Sequence, residues 1–280
     1  MVELRPSRQR PTDLAGLSDG VIADALERAR TAVDEASDCA LRCFRKPCAR
    51  WEKRPGQIVT DADLAIDRIL RERLPRDGEG WLSEESIPEA AAPGAPTWVV
   101  DPIDGTRSFA NGVAEFSISV ALVVAGRPLL AVLANPATGE RYEAVAGRGA
   151  IGSGGHAPTD ALAATQAQSL AGTSILVSEG DRRRKHFAER LAGARLVTKG
   201  SLAYKLALVA AGAHDAFVSG RAAHDWDIAA GVLLVREAGG RVTDLHGAEI
   251  VLGLGEARHQ GLVAAGDGLH ATLLGAVGTT

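Results

Sequence analysis

The sequence predicts a fold that is α+β in its first half and α/β in its second. Two observations carry this. Between Glu115 and Ala146 three apolar runs are joined by two short turns, Gly126-Arg127-Pro128 and Asn135-Pro136-Ala137-Thr138-Gly139, which makes an antiparallel meander. From Ser174 onward short apolar strands alternate with helical patterns and intervening glycines, the order of α/β units. With 280 residues, 46% of them hydrophobic, the chain can bury one large core or two closely packed ones. The division is placed at 1–156 for an N-terminal half and 157–280 for a C-terminal half.

Ser18 to about Phe44 reads as a long helix, because Val21, Ile22, Ala25, Leu26, Ala29, Val33, Ala36 and Ala40 recur at helical spacing, with Ser18 or Asp19 as cap. Lys53-Arg54-Pro55-Gly56 is a loop. Asp61 to Leu74 is a second helix with Ile66, Ile69, Leu70 and Leu74 on one side. Thr60 is its N-cap and Asp63 lies in its first turn, where the dipole favours a carboxylate. Trp81 to Ser86 reads as a short strand carrying Glu84 and Glu85, and Glu89 to Pro96 is a connector. Trp98 to Val100 is the end of a buried strand. Pro102 has no N–H for a ladder, so that strand should stop near Asp101 and leave Asp101 and Asp104 on a tight turn. Ligands of α/β sheets sit at such strand ends.

Arg107 to Asn111 reads as a short helix or turn. In Glu115 to Val124, Phe116, Ile118, Val120, Leu122 and Val124 share one face. Leu129 to Ala134 and Arg141 to Ala146 complete the meander, and alanine-rich Ala157 to Ser169 is read as a hinge. The second half then gives strands at Ser174–Val177, Arg195–Thr198, Asp215–Val218 and Leu262–Ala265. Its helices fall at Arg183–Leu191, Ser201–Ala211 and Asp227–Glu237, the last stopped by Gly239-Gly240. The basic run Arg182-Arg183-Arg184-Lys185 reads as a solvated helix face, with a grip on a second phosphate as the alternative.

The 31 basic and 35 acidic residues give a net charge of −4, which offers no general surface for a nucleic acid polymer or a membrane. No apolar run approaches the ~20 residues that span a bilayer. The first ten residues lack a signal peptide's apolar region and read as a polar tail. Three cysteines, Cys39, Cys43 and Cys48, are sparse and odd in number, as expected in a reducing cytoplasm. Cys39 and Cys43 share a helix face and read as small hydrophobes, since no His or further Cys completes a metal site.

The stretch Asp101-Pro102-Ile103-Asp104-Gly105-Thr106 places two carboxylates beside a possible helix start, whose N–H groups and dipole favour an anion. That pairing points to hard divalent cations bridging to a phosphate, because no Cys or paired His lies near to favour a softer metal. Three further segments follow the same theme: Val59-Thr60-Asp61-Ala62-Asp63, Ser83-Glu84-Glu85-Ser86, and Trp226-Asp227-Ile228-Ala229-Ala230-Gly231 followed by Glu237-Ala238-Gly239-Gly240. Together they resemble the signature of the inositol monophosphatase family, over about Lys53 to Asp244.

That resemblance implies a layered α/β/α/β/α sandwich and a homodimer. It implies a magnesium-dependent, lithium-sensitive phosphatase with two or three Mg²⁺ ions. The metal ligands are then Glu84, Asp101, the Ile103 carbonyl, Asp104 and Asp227, with Glu85 behind them or facing solvent. Asp63 and Thr106 position the attacking water, so that Asp63, Glu84, Asp104 and Thr106 form the catalytic set. Gly105 and Thr106 hold phosphate oxygens, and Gly200, Ser201 and Asp227 face the substrate. The implied reaction is direct in-line attack by metal-activated water on a phosphate monoester, without a phosphoenzyme.

Specificity is less defined. Inositol-specific members carry a glutamate about seven residues before the Trp-Asp acid, where this chain has Gly220 in the expected loop Gly220 to Asp225. The His224-Asp225 pair is the candidate replacement. Gly200 to Lys205 and Ala223 to Asp227 also resemble bacterial relatives that act on 3′-phosphoadenosine 5′-phosphate, with Lys205 as a possible solvent-facing helix residue. Histidinol phosphate and sugar phosphates stay open as substrates. Ser83, where the family often has glycine, is expected to have no serious consequence. A silent regulator that only binds a phosphorylated ligand is the non-enzymatic alternative.

Overall fold

The Ser18 hydroxyl accepts a hydrogen bond from the Val21 amide and caps α1 (Asp19–Cys43), whose buried stripe runs from Ile22 through Ala29 and Val33 to Ala40. The computed structural model describes residues 17–278 apart from 47, 55–56, 90–91, 156–160 and 254–257. The polar N-terminal tail, Pro55-Gly56 and the start of the Ala157–Ser169 connector lie outside the described residues. A hairpin follows, β1 (Arg50–Arg54) with β2 (Gln57–Thr60), where the sequence read only a loop. Thr60 closes a capping box with Asp63 and starts α2 (Asp61–Arg73).

A six-stranded sheet comes next in chain order: β3 (Gly80–Ser83), β4 (Thr97–Asp104), then after α3 (Thr106–Ala110) the strands β5 (Ser117–Val124), β6 (Arg127–Asn135), β7 (Glu140–Val145) and β8 (Gly149–Ser153). β3 and β4 are parallel and every later pair is antiparallel, as the short turns require. All eight residues of β5 are buried. Ile118, Val120 and Leu122 pack toward α1 and α2, while Ala121 and Val123 join the core on the opposite face. The one-faced pattern expected for this strand is therefore two-faced.

β4 does not stop at Asp101. It runs to Asp104 through a bulge, with Asp101 opposite Ser119 and Asp104 opposite Ser117, so that three steps on β4 match two on β5. Pro102 sits within that bulge, where the ladder makes no demand for its missing N–H.

The second sheet contains β9 (Ser174–Val177), then α4 (Glu179–Arg182), α5 (Lys185–Arg190), β10 (Arg195–Thr198), α6 (Leu202–Ala210), β11 (Ala216–His224), α7 (Asp225–Glu237), β12 (Gly240–Thr243), β13 (Arg258–Gly266) and α8 (Asp267–Val277) in chain order. Its strand order is β10-β9-β11-β13-β12, parallel among the first three and antiparallel at β13. The expected helix Arg183–Leu191 is the shorter α5, and a separate single turn, α4, precedes it. The expected loop Gly220–Asp225 is instead the end of β11 and the first residue of α7.

Three hydrophobic cores order these pieces into layers. One lies between α1 and α2 and the first sheet. The largest lies between the two sheets, filled by α6 and α7. The third joins the second sheet to Leu269, Leu273 and Val277 of α8 and Leu191 after α5. The result is the α/β/α/β/α order, with α6 and α7 as its middle layer. Leu162 and Ala164 of the connector are buried and bond backbone to backbone with Ala150 and Ala238, so that this described part of the supposed hinge is strapped to β8 and to the end of α7. Among the described residues no helix is long and apolar enough to cross a membrane.

Candidate active site

In a regular pleat Asp101 and Asp104, three residues apart, face opposite sides of the sheet. The extra residue of the bulge turns both carboxylates to one side. Asp227, in the first turn of α7, arrives from the middle layer, its Oδ2 accepting the His224 N–H at 2.7 Å. One oxygen from each of Asp101, Asp104 and Asp227 lies within 4.8 Å of the others. Asp104 is braced from behind: Ser201 Oγ and the Ala203 N–H both donate to its Oδ2. Asp101 Oδ1 is buried and has no hydrogen-bond partner.

This crowding has an electrostatic cost. Burial holds the Asp101 carboxyl well above the usual carboxylate range, and the charges of Glu84, Asp104 and Asp227 push it further. Asp227 is raised by burial and then by Asp104. Glu84 is pushed up to about 7 by burial and by Glu85, against the pull of Lys53. Glu84 stands outside the tight triad, at the end of β3. A hard cation relieves this repulsion, takes oxygen donors, and supplies Asp101 Oδ1 with the partner it lacks. The residues therefore fit a divalent ion such as Mg²⁺.

Asp63 is buried beside them. Its Oδ2 accepts the Thr60 N–H at 2.8 Å and the Thr60 hydroxyl, and its Oδ1 accepts the Thr106 hydroxyl at 3.0 Å. The Ile103 carbonyl oxygen is also 3.0 Å from that hydroxyl. Thr106 thus ties the start of α2 to the end of β4. Gly105, at φ 94°, has no room for a side chain, since a Cβ there would lie 2.8 Å from the Glu115 carbonyl oxygen. A Cβ on Gly200 would lie 2.5 Å from the same oxygen. Both glycines let the β4 end and the α6 start close on the backbone at Glu115.

Sequence comparison meets this geometry. A family model described as the inositol monophosphatase family matches residues 21–278. The chain belongs to the inositol monophosphatase family. It is 39% identical over 202 residues to an inositol-1-monophosphatase of Rhizobium meliloti, covering 70% of this chain and 75% of that protein. It is 32% identical over 261 residues to a histidinol-phosphatase of Chlorobaculum parvum, covering 90% and 96%. Among solved structures, the extragenic suppressor protein suhB from Bartonella henselae superposes with a TM-score of 0.81 at 26% identity, over 90% of this chain and 97% of that one. The layered fold is accordingly that of the inositol monophosphatases, and the chain is an inositol monophosphatase-like phosphatase, a phosphoric monoester hydrolase.

Within this inositol monophosphatase frame several residues stand differently from their sequence reading. Lys205 is not solvent-facing: it is buried, donates to the carbonyls of Lys199 and Gly200 at 3.1 Å each, and burial pulls its pKa down to about 8. Glu85 does not face solvent either, because its side chain is 2% exposed and paired with Lys53. Ser83 has a consequence after all. Buried, it donates to Asp67 and accepts the Glu85 N–H, fixing the segment that carries Glu84. Ser201 is fully buried behind Asp104, with Ser117 Oγ 3.0 Å away. Asp225 is buried and 2.7 Å from His259, and His224 stacks on Trp226, so the pair is committed to local packing.

Asp67, Glu115 and Ser117 are the supporting residues missed in the sequence. Only Asp67 left a trace, as an acid one helical turn after Asp63. A cavity of about 820 Å³ opens beside Glu84, with Lys53, Glu85, Ile87 and Trp226 in its wall.

Proposed function

We propose that the chain hydrolyses a small phosphate monoester at this acidic cluster with two or three Mg²⁺ ions. The observation that carries the reading is the convergence of Asp101, Asp104 and Asp227 within 4.8 Å around a buried, unpartnered Asp101 oxygen. Glu84, Asp101, the Ile103 carbonyl, Asp104 and Asp227 hold the ions. The Ile103 carbonyl has a second lone pair free of the Thr106 hydroxyl for this role. When bound, the ions supply positive charge to the phosphate and lower the pKa of water toward neutrality.

The protein's own part is positioning. Asp63 fixes the Thr106 hydroxyl, and both orient the attacking water. The N–H groups of Gly105 and Thr106 donate to phosphate oxygens. Ser201 holds Asp104 in place through its hydroxyl, while Gly200 and Asp227 border the substrate. In this reading residues 1–156 and 157–280 act as two halves with the site between them, because Asp104 comes from the first sheet and Asp227 from the middle layer. Li⁺ sensitivity, a cytoplasmic location and a homodimer belong to the same reading; light scattering showing a monomer at working concentration rejects the last.

The test is a kcat/KM panel with Mg²⁺ over inositol 1-phosphate, 3′-phosphoadenosine 5′-phosphate, histidinol phosphate and fructose 1,6-bisphosphate. Turnover of inositol 1-phosphate alongside others supports a broad monoesterase. A preference of ~10³ for one compound, about 4 kcal/mol in the transition state, overturns the broad reading. Binding without turnover of any of them overturns the enzyme in favour of a silent regulator.

A further inference from the structure

Three charged side chains, Asp181, Arg184 and Arg221, gather where α4 meets β11, and hydrolysis as read above uses none of them. The basic run after Ser178 splits. Arg182 and Arg183 both pair with Glu179 as exposed ion pairs, the solvated face expected of such a run. Arg184 turns the other way. Its Nη1 lies 3.5 Å from Asp181 Oδ1 and 3.4 Å from the place a Cβ would take on Gly220. Arg221 answers it from β11, with Nη1 3.1 Å from the place a Cβ would take on Gly180. Each guanidinium thus lies against the glycine of the other segment: a Cβ on Gly180 would crowd Arg221, and one on Gly220 would just touch Arg184.

Asp181 anchors this crossing. It is fully buried, and its Oδ2 accepts the hydroxyls of Ser178 at 2.6 Å and Ser219 at 3.2 Å. Its Oδ1 is buried without a hydrogen-bond partner and faces Arg184. Among the described residues Arg221 has no carboxylate partner, so beside the Arg184–Asp181 pair one positive charge is left over. Both remain exposed at their outer side. β11 joins the cluster to the acids, for three residues beyond Arg221 the His224 N–H donates to Asp227 Oδ2 at 2.7 Å.

A planar guanidinium pair matches phosphate oxygens bidentately. The acidic cluster itself repels any anion that its ions do not neutralise, so a second phosphate on the substrate needs cations of its own. We propose that Arg184 and Arg221, set by Asp181 and by the closeness that Gly180 and Gly220 permit, bind a second, uncleaved phosphate, so that the chain prefers bisphosphorylated small molecules. The proposal rests on the phosphatase reading and narrows its substrate class.

The experiment compares kcat/KM with Mg²⁺ for adenosine 3′,5′-bisphosphate against adenosine 3′-phosphate, and for fructose 1,6-bisphosphate against fructose 1-phosphate. Wild type is expected to favour the bisphosphate in at least one pair by roughly ten- to hundredfold, the worth of a charge-assisted contact, chiefly through KM. Arg184→Gln and Arg221→Gln should each bring that ratio toward one. Ratios within twofold in both wild-type pairs, or a ratio that survives both substitutions, overturn the proposal. If no compound is hydrolysed, the phosphatase reading fails and the clamp is judged by titration calorimetry of the same pairs. Tighter binding of a bisphosphate that is lost in the double variant supports it, and equal binding of both compounds overturns it.

Discussion

Glu84 shows what single residues contribute. Its carboxyl is raised from 4.5 to about 7 in the folded chain. Between those values the unfolded chain releases the proton and the folded chain keeps it, so stability is lost as pH rises through that window. Metal-free wild type should therefore lose thermal stability relative to Glu84→Gln between about pH 4.5 and 7, measured by scanning calorimetry, and excess Mg²⁺ should abolish the difference by favouring the ionised acid. A pH-independent gap between the two proteins contradicts the assignment. Asp104→Asn makes a second test. Its carbonyl can keep the bonds from Ser201 and Ala203 while the charge is removed. The variant should stay folded by circular dichroism and lose roughly 100-fold or more in kcat, since even groups behind metal ligands cost 10–100-fold. Near-normal turnover at saturating Mg²⁺ rejects Asp104 as a ligand. The acids Asp101, Asp104 and Asp227 were legible because each sits in a local pattern of turn or helix start. Ser201, Lys205 and Asp181 were not, because their roles come from partners 38 to 97 residues away or from burial inside a middle layer that a helical pattern does not reveal.

At the scale of elements, the β4 bulge and the α6–α7 contact do the positioning. Gly231 of α7 meets α6 so closely that a Cβ would stand 2.5 Å from Leu206 Cβ. Gly231→Ala should push the helices apart at a cost of about 1–3 kcal/mol, read as a lower urea midpoint with an unchanged m-value. An unchanged midpoint would show that the middle layer yields freely. The long helices, the meander and most strands of the second half could be read from periodicity. The missed elements share a physical cause. β8 and β12 are short and contain glycine, which hides alternation. β1 pairs with β2 in a two-stranded hairpin and exposes Trp51, Glu52 and Lys53, so no buried face marks that strand. β4 runs past the stop that Pro102 predicts, because the bulge accommodates the missing N–H.

For the whole molecule, the five layers place the two parts of the acid cluster on different bodies of structure, β4 of the first sheet and α7 between the sheets. Neither β4 nor α7 alone holds the triad. The layer order was expected only through the family resemblance, for the residue patterns give strands and helices but not which sheet each helix separates. The most direct measurement of the central claim is inorganic phosphate released from inositol 1-phosphate by the purified chain, in Mg²⁺ and in EDTA, for wild type and Asp227→Asn. Steady release in Mg²⁺ that falls to background in EDTA and in Asp227→Asn is the predicted result. Release that EDTA and the substitution leave unchanged, or none by folded wild type in Mg²⁺, contradicts it.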